Sequence, residues 1–483
     1  MIMKKILAAA LLSIVFVLFS AEKICIYSTT DIHGKVFQPK HRPDLLKLIH
    51  ALRTDADRNA PDQNLLIDCG DLIQGSYETQ TDHGKIVVEL MNLAGFHIWV
   101  PGNHDFDLGF PTLLKRARDF KGDVLCANLK TARGRPFPAW KICRRSGIDI
   151  AVIGMTAEQL ANWSWKPGEQ GYAAEKTIPA LEAVMPEVMK AKPNLIVLAI
   201  HAGRFPAARF NAGWNMRSLA IRFPQIDLIL GGHTHEPVKG LLLAGKCWYV
   251  QAGKHADGYS KVEITPIRGK KNRFSITSTW NPVPNDAASF KIPDPELRKK
   301  ISELRKGMYS TVCRNAPALG ASRPEETALL FCDAIRDQTK AKIVFHGVLS
   351  RADKHAGRYA RKDVFDLCPF ENTVILAELK PSDIRAILKE QVNIRLNKKK
   401  YGMYQFVRGI RMAPDGRLYF DDGTPWHDEN QRVLTAFNSF AASSAGMRFP
   451  VLKKITWKPE SRGRDSGLKI RDVLEQHMRR NFQ

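Results

Sequence analysis

Five short polar stretches, each following an apolar run, contain the residues whose types and spacing could support chemistry. Carboxylates, an amide oxygen and imidazoles together form a mixed set of oxygen and nitrogen donors, which suits two borderline divalent cations. We therefore predict a metal centre built from seven ligands: Asp31, His33, Asp71, Asn103, His201, His233 and His235.

The turn Val100–Asp107 has the densest polar cluster of the chain. It directly follows the apolar run 98–100 and contains Asn103, His104, Asp105 and Asp107. An amide, an imidazole and two carboxylates in one turn favour a catalytic role. The alternative is an Asx-type turn in which Asn103 and Asp105 only cap a helix.

Short apolar runs alternate with helical patterns over the first half of the chain, which predicts an α/β fold. Continuous apolar runs indicate strands that are covered on both faces, and open α/β sheets place ligands beyond the carboxyl ends of their strands. We expect strands near 24–27, 65–67, 98–100, 148–153, 195–200 and 226–230, and helices near 45–52, 86–93 and 110–119.

At 483 residues the chain is long enough for two or three domains. Residues 281–295 are rich in Pro, Asn and Asp, which predicts a domain boundary, and residues 296–308 fit a connecting helix. In the remainder we expect a helix near 326–337 and a strand at 342–345.

The N-terminal segment is typical of a secretory signal. Lys4 and Lys5 precede the apolar stretch 6–19, and small residues follow at Ser20 and Ala21. We therefore predict an exported protein, periplasmic or at the cell surface, with a cleaved signal; an uncleaved anchor is the alternative. No later apolar run is long enough to span a membrane.

The formal net charge of +24, from 73 basic and 49 acidic residues, favours anionic partners. Basic clusters occur at 268–273 and 398–400. A solvated basic surface explains them better than a nucleic-acid groove, because no nucleic-acid-binding motif is present. We expect a small anionic substrate and no specific nucleic-acid partner. The sequence contains no pattern that indicates the oligomeric state.

The cysteines and the isolated histidines give no clear indication of a further site. The eight cysteines are scattered without C-x-x-C spacing, so their pairing stays open, and the apolar surroundings of Cys69 and Cys332 favour buried thiols. A lone histidine is more often an ordinary core or surface residue than a ligand. That interpretation is applied to His41, His50, His83, His97 and His255.

The polar stretches together resemble the calcineurin-like metallophosphoesterases over about residues 23–270. The matching pieces are Asp31-Ile32-His33, Gly70-Asp71, Gly102-Asn103-His104-Asp105, His201 and Gly232-His233-Thr234-His235. The resemblance implies a β-sandwich flanked by helices with two metal ions, which we expect to be Mn²⁺ or Zn²⁺, with iron or cobalt as alternatives. One ion would take Asp31, His33, Asp71 and His235, and the other Asp71, Asn103, His201 and His233.

The same resemblance implies a hydrolytic mechanism in which a metal-bound hydroxide attacks phosphorus in line. Two cations would activate water and clamp the phosphoryl oxygens. His104 resembles the non-ligand imidazole of the family, which stabilises phosphoryl charge or protonates the leaving oxygen. Asp107, three residues on, would fix the tautomer of His104, unless it is a simple turn carboxylate.

The second half resembles the C-terminal substrate domain of bacterial 5′-nucleotidases and UDP-sugar hydrolases, through residues 368–373 and 438–440. This implies a second, smaller α/β domain. Phe370 and Phe440 would sandwich a nucleobase, although either could be a core residue. Polar contacts to the phosphate and nucleoside would come from Arg323, Arg351 and Asn372.

Two departures from this pattern concern the substrate. His346-Gly347-Val348-Leu349-Ser350-Arg351 replaces the usual asparagine and Gly-Gly-Ile-Arg stretch. Ser444-Ala445-Gly446 stands where an acidic partner of the nucleoside is common.

We therefore predict four regions: a signal peptide at 1–21, a metallophosphoesterase domain at 22–280, a linker with a helix at 281–309, and a substrate domain at 310–475. The predicted function is nucleotide hydrolysis, of 5′-nucleotidase or 2′,3′-cyclic phosphodiesterase type. One alternative is a related hydrolase of a non-nucleotide phosphoester or a sulfur-linked substrate. A second is a noncatalytic surface protein that binds polyanions.

Overall fold

The computed structural model describes residues 23–39, 41–203, 215–267, 273–396 and 404–483. The predicted signal segment, residues 268–272 of one basic cluster and all of the cluster at 398–400 lie outside these residues. Within them, no helix is both long and apolar enough to cross a membrane. The chain folds into two α/β domains, as the sequence predicts.

Two six-stranded sheets form the first domain. Spatial order in the first sheet is Phe274–Pro282, Gly258–Pro266, Ile24–Thr29, Asn64–Asp68, Ile98–Trp99 and Asp123–Val124. In the second sheet it is Pro237–Leu243, Cys247–Ala252, Leu228–Gly231, Leu195–Ile200, Ile148–Met155 and Trp140–Arg145. In the first sheet the four strands from Ile24–Thr29 to Asp123–Val124 are parallel, and antiparallel strands lie at the opposite edge. In the second sheet the central strands are parallel, and an antiparallel strand lies at each edge.

The two sheets pack face to face, which confirms the predicted sandwich. Ile26 and Ile67 of the first sheet share one buried core with Val197 and Leu230 of the second. The outer faces carry helices, so the central strands are buried on both sides. These helices are Leu45–Ala56, Lys85–Ala94 and Phe110–Asp119 on the first sheet, and Thr177–Lys190 and Met216–Arg222 on the second. The short helix Tyr77–Thr81 instead packs through Tyr77 against Met308 and Phe365.

The helix Leu45–Ala56 illustrates how local sequence fixes these elements. Asp44 caps it by accepting a hydrogen bond from the backbone N–H of Lys47 at 3.0 Å. Its apolar residues recur at helical spacing, so that Leu45, Leu48 and Leu52 all face the core. The predicted helix at 45–52 is therefore present and one turn longer.

Helix Pro295–Met308 connects the two domains. The second domain is built on a five-stranded sheet with the spatial order Phe406–Arg408, Ile343–His346, Val433–Asn438, Thr373–Leu379 and Arg464–Lys469. Its helices are Pro324–Thr339, Arg361–Leu367, Pro381–Leu396, Ser439–Ala442, Pro450–Trp457 and Ile470–Asn481. Shorter strand pairs are Thr311–Ala316 with Gly357–Ala360, Leu319–Gly320 with Asp353–Lys354, Ile410–Met412 with Leu418–Phe420, and, in the first domain, Leu129–Lys130 with Ala173–Ala174.

All eight cysteines lie within the described residues, and all are buried free thiols. This agrees with the interpretation of Cys69 and Cys332, and it resolves the open question of pairing. Burial raises the pKa of the Cys69 thiol, which keeps it protonated and inert.

Candidate active site

Six of the seven predicted ligands lie in two groups at one edge of the sandwich, and the seventh, Asn103, follows Gly102, whose backbone lies close to that of Asp71. Each follows the carboxyl end of a central strand, and because those strands are parallel, their ends meet on the same side. Asp31 and His33 follow strand Ile24–Thr29, and His233 and His235 follow strand Leu228–Gly231, so the site draws on both sheets.

One group consists of Asp31, His33, Asp71 and His235, whose ligand atoms lie within 4.8 Å of one another. Nε2 of His33 is 3.2 Å from Nε2 of His235, and Nε2 of His235 is 3.3 Å from Oδ1 of Asp31. Oδ2 of Asp71 lies 3.7 Å from Nε2 of His33. Two carboxylates and two imidazoles thus converge on one point that can hold a cation.

A second group consists of Asp71, His201 and His233. Nε2 of His201 is 3.1 Å from Oδ2 of Asp71 and 3.3 Å from Nδ1 of His233. Asp71 belongs to both groups, so its carboxylate can bridge two cations. This is the role that the resemblance implies for it.

Asn103 is completely buried, and neither atom of its side-chain amide has a hydrogen-bond partner among the described residues. Oδ1 of Asp31 is also buried and accepts no hydrogen bond among these residues, although Nε2 of His235 lies 3.3 Å from it. Buried polar atoms normally find a partner, because leaving one unsatisfied costs about 1–3 kcal/mol. Unpartnered oxygens beside converging imidazoles fit bound cations.

Backbone carbonyls orient two of the imidazoles. Nδ1 of His201 lies 2.7 Å from the carbonyl oxygen of Cys69, and Nδ1 of His33 lies 3.2 Å from that of Gln74. A carbonyl can only accept a hydrogen bond, so each Nδ1 carries the proton. Nε2 of each ring is therefore free to bind a cation.

Asp105 holds the backbone of the ligand loops in place through hydrogen bonds. Its carboxylate accepts hydrogen bonds from four backbone N–H groups, those of Asp71, Leu72, Ile73 and Gly102, at 2.7–3.0 Å. Burial, followed by the charge of Asp71, raises the pKa of Asp105 to about 6. The sequence analysis placed Asp105 in the motif but did not predict that it accepts these hydrogen bonds. They form only because the loop of Asp105 folds against the loop 71–73.

The ligand loops have an unusual backbone. Asp31, His33, Asp71, His233 and His235 all have positive φ angles, between 50° and 71°. Non-glycine residues in this region cost of order 1–3 kcal/mol and cluster at functional sites. Gly102 is required for a different reason: a Cβ there would lie 2.3 Å from the backbone nitrogen of Asp71.

His104 stands beside the ligand groups and pairs with Asp107. Nδ1 of His104 is 2.7 Å from Oδ2 of Asp107, and the backbone N–H of His104 donates to Oδ1 of Asp71 at 2.7 Å. Burial lowers the pKa of His104, but the charges of Asp107 and Asp71 outweigh it and raise that pKa to about 9. The ring is therefore set up to hold a proton on Nε2.

A cavity of about 290 Å³ adjoins His104 and lies between the two domains. Phe370 and Phe440 of the second domain line it with nearly parallel rings, whose centroids are 6.5 Å apart at 16°. Asn372 also lines it. The other lining residues are Asp107, Trp163, Val348, Leu349, Gln405, Asn438, Ala445, Arg448 and Phe449.

Two predicted substrate contacts are located elsewhere. Arg323 immediately precedes helix Pro324–Thr339, and its side chain is 56% exposed. Its Nη1 atom lies 4.0 Å from Oε1 of Glu326. Arg351 is exposed, and neither arginine lines the cavity. Trp163 and Arg448 do line it, and the sequence analysis did not single them out, because neither belongs to a motif.

Polar and aromatic contacts join the domains around this cavity. Nζ of Lys453 donates to the carbonyl oxygen of Ala161 at 2.6 Å, and Nε2 of Gln74 donates to that of Pro369 at 3.0 Å. Trp165 of the first domain lies in the buried core of the second domain, and its ring centroid is 5.8 Å from that of Trp457. These contacts hold the aromatic slot beside the ligand groups.

Comparisons with known proteins agree with both domains. Residues 26–237 match the calcineurin-like phosphoesterase family, and residues 309–416 match the 5′-nucleotidase C-terminal domain. Protein UshA of Yersinia enterocolitica is 26% identical over 449 residues, covering 82% of this chain and 80% of UshA. A 5′-nucleotidase of Vibrio cholerae is 31% identical over 231 residues, covering 45% of this chain and 41% of that protein.

The fold also matches a solved structure, that of a putative 5′-nucleotidase from Staphylococcus aureus. The TM-score is 0.78 at 18% sequence identity, and the alignment covers 95% of this chain and 97% of the other. At this identity the match supports the two-domain fold alone.

Proposed function

Since the chain belongs to the calcineurin-like phosphoesterases and is a metal-dependent phosphoric ester hydrolase with a 5′-nucleotidase C-terminal domain, we propose that it hydrolyses nucleotides. The observation that carries this proposal is the position of Phe370. Its ring stacks on His104 with centroids 5.6 Å apart and also faces Phe440 across the slot. A base in the slot would therefore bring its phosphate close to the ligand groups.

The family uses a dinuclear metal site, and this chain has donors for two ions. We assign one cation to Asp31, His33, Asp71 and His235, and the other to Asp71, Asn103, His201 and His233. Mn²⁺ or Zn²⁺ suits these donors best, and iron or cobalt is also compatible with them. Two bound cations lower the pKa of water and neutralise charge on the phosphoryl oxygens.

His104 is the proposed acid. Asp107 accepts a hydrogen bond from Nδ1–H of His104, which fixes the ring and leaves Nε2 available on the side of the cavity. A proton on Nε2 can pass to the leaving oxygen or stabilise charge on the phosphoryl group. A positioned acid of this kind contributes about 10²–10⁴-fold to rate.

We propose Phe370, Phe440 and Asn372 as the substrate contacts of the second domain. Parallel rings 6.5 Å apart are close to the spacing that a sandwiched base needs, and the slot opens into the same cavity as His104. For Arg323 and Arg351, contact with substrate would require the domains or the side chains to move. Arg448 already lines the cavity and can meet an anionic group.

A substrate panel tests the proposal. Metal-stripped protein is resupplied with Mn²⁺ or Zn²⁺ and assayed with AMP, UDP-glucose, a 2′,3′-cyclic nucleotide and a generic aryl phosphate. Metal-dependent preference for one nucleotide is the expected result. Equal rates on nucleotides and the aryl phosphate would overturn the nucleotide assignment while leaving the phosphoesterase activity intact.

A second candidate is hydrolysis of a non-nucleotide phosphoester or a sulfur-linked substrate. The observation that favours it is the shortage of acidic groups, since Asp107 is the one carboxylate among the residues that line the cavity in the described chain. Without an acidic partner for the nucleoside, the slot can admit other apolar groups. The noncatalytic polyanion-binding hypothesis is not retained, because the chain is an enzyme by family.

Two further proposals concern the whole chain. We place the first domain at 22–280, the linker at 281–309 and the substrate domain at 310–475. We also propose export, which rests on the basic and apolar N-terminal sequence. Cell fractionation followed by N-terminal sequencing tests this, and mature protein beginning near Ala21 is the expected result.

A further inference from the structure

His255 follows strand Cys247–Ala252, which pairs in parallel with strand Leu228–Gly231. It therefore reaches the same edge of the sandwich as the predicted ligands. The sequence analysis treated it as an ordinary histidine because no motif surrounds it. The structure places it next to two ligands instead.

The ligand atoms of His33, His235 and His255 all lie within 4.8 Å of one another. Their ring centroids are 5.1, 5.5 and 5.7 Å apart, so the centre of this triangle is about 3.1 Å from each ring. An imidazole nitrogen binds zinc at about 2.0–2.1 Å, and the remaining distance of about 1.1 Å is the radius of the ring itself. Three imidazoles around one cation have these dimensions.

Proximity alone does not define this group. His104 is also close to His33, with centroids 5.3 Å apart, yet its ring nitrogens form no group with those of His33 and His235. Its Nδ1 is engaged by Asp107. His255 thus differs from the other histidine near His33 in offering a ring nitrogen to the two ligands.

The backbone of His255 is held in place from both sides. Its N–H donates to the carbonyl oxygen of Asp31 at 2.8 Å, and its own carbonyl accepts from Nε2 of Gln38 at 2.7 Å. Its φ angle is 52°, close to the 52° of Asp31 and the 50° of His33. His255 shares the strained backbone of the ligands and is fixed directly to one of them.

We propose that the cation assigned to Asp31, His33, Asp71 and His235 has a second, overlapping position in which His33, His235 and His255 hold it. This inference rests on the dinuclear site of the proposed function. In that position the first cation has three imidazoles as ligands, while the second cation has two imidazoles, one amide and one carboxylate. The nitrogen-rich position favours zinc, iron or cobalt over manganese and holds its ion more tightly.

The test uses His255→Asn and His255→Gly, because both residues tolerate a positive φ and keep the loop unstrained. Asn is too short to replace the imidazole, and Gly offers no donor. The matched control is His83→Asn. His83 is exposed, has a φ of 54° and belongs to neither ligand group.

Two readouts are independent of activity: metal content after dialysis against graded chelator, and the visible absorption of the Co²⁺-loaded protein, which reports coordination number. We expect both His255 variants to lose one of two cations at a chelator concentration at least about tenfold lower than wild type and His83→Asn. Residues that merely orient a ligand already change affinity by about 10–100-fold. The Co²⁺ spectrum should change for one ion and not the other.

Wild-type chelator resistance and an unchanged Co²⁺ spectrum in both His255 variants would overturn this inference alone. Wild-type protein that binds fewer than two cations would overturn the dinuclear site of the proposed function, and the role of His255 with it. The two failures are therefore distinguishable.

Discussion

The ring of Phe370 stacks on the ring of His104, with centroids 5.6 Å apart and planes at 26°. Phe370 belongs to the second domain and His104 to the first. The contact joins the aromatic slot to the imidazole proposed as the acid, so the proposed substrate contacts and the proposed acid line one cavity. Several measurable consequences arise from this geometry.

Replacing His104 with Asn should lower kcat by about 10²–10⁴-fold, because the proton on Nε2 is lost. Metal content should stay at the wild-type level, since His104 belongs to neither ligand group. Steady-state kinetics and elemental analysis of the same preparation check both points. His41→Asn, at an exposed histidine, serves as the control. Loss of both metals in His104→Asn would contradict the proposed role.

Asp107→Asn should lower kcat less than His104→Asn does, because the imidazole remains but its orientation and tautomer are no longer fixed. The two residues act through one hydrogen bond of 2.7 Å, so their effects should not add. The double variant should therefore match His104→Asn alone. Additive losses in this double-mutant cycle would show that Asp107 acts independently.

Phe440→Ala should raise KM for the preferred nucleotide while leaving hydrolysis of a small aryl phosphate nearly unchanged. Stacking contributes about 1–3 kcal/mol per base, which corresponds to about 5–150-fold. Tyr309→Ala, at an exposed ring outside the cavity, is the control. An equal rise in KM for both substrates would point to a packing role for Phe440.

Asp105→Asn should destabilise the first domain by about 2–5 kcal/mol. The carboxylate accepts four backbone hydrogen bonds, and an amide has one oxygen to offer in place of two. Metal affinity should fall as well, since Asp105 anchors the backbone of Asp71. Urea unfolding and metal titration measure the two effects, with the exposed Asp286→Asn as control. Wild-type values in both would rule out this anchoring role.

Because His346 is buried, we expect the free energy of unfolding to fall in acid. Burial lowers its pKa to about 3, whereas an unfolded histidine has a pKa of about 6.5. Between these values the unfolded chain binds a proton that the folded chain does not. The contribution is therefore fully favourable above about pH 6.5 and falls by about 1.4 kcal/mol for each pH unit below it.

The variant His346→Asn cannot titrate and should lose less stability than wild type between pH 7 and 5, by about 2 kcal/mol. Urea unfolding at the two pH values measures the difference. The same substitution at the exposed His41 serves as the control. A slope that is unchanged in His346→Asn would show that His346 is protonated in the folded state.

Sequence pattern was sufficient for the α/β class and several central strands of the first domain, whereas the sandwich was an implication of the family resemblance. Strands Leu195–Ile200 and Ile148–Met155 are continuous apolar runs, and helix Phe110–Asp119 has the bounds that the pattern predicted. The ligands follow from a rule about strand ends, which needs no knowledge of the packing. Their assignment to two cations came from the resemblance, and the groups in the structure are compatible with it.

Tertiary structure alone decided which residues meet from separate loops and domains. Asp105 supports Asp71 because two loops approach closely, and His255 reaches His33 because neighbouring strands end at one edge. The relation of Phe370 to His104, and the position of Arg323 away from the cavity, depend on how the two domains pack. Periodicity reports which face of an element is buried. It carries no information on which distant side chains share that burial, and this is why the sequence by itself determined the α/β class and predicted the metal ligands, while folding decided the surroundings of those ligands.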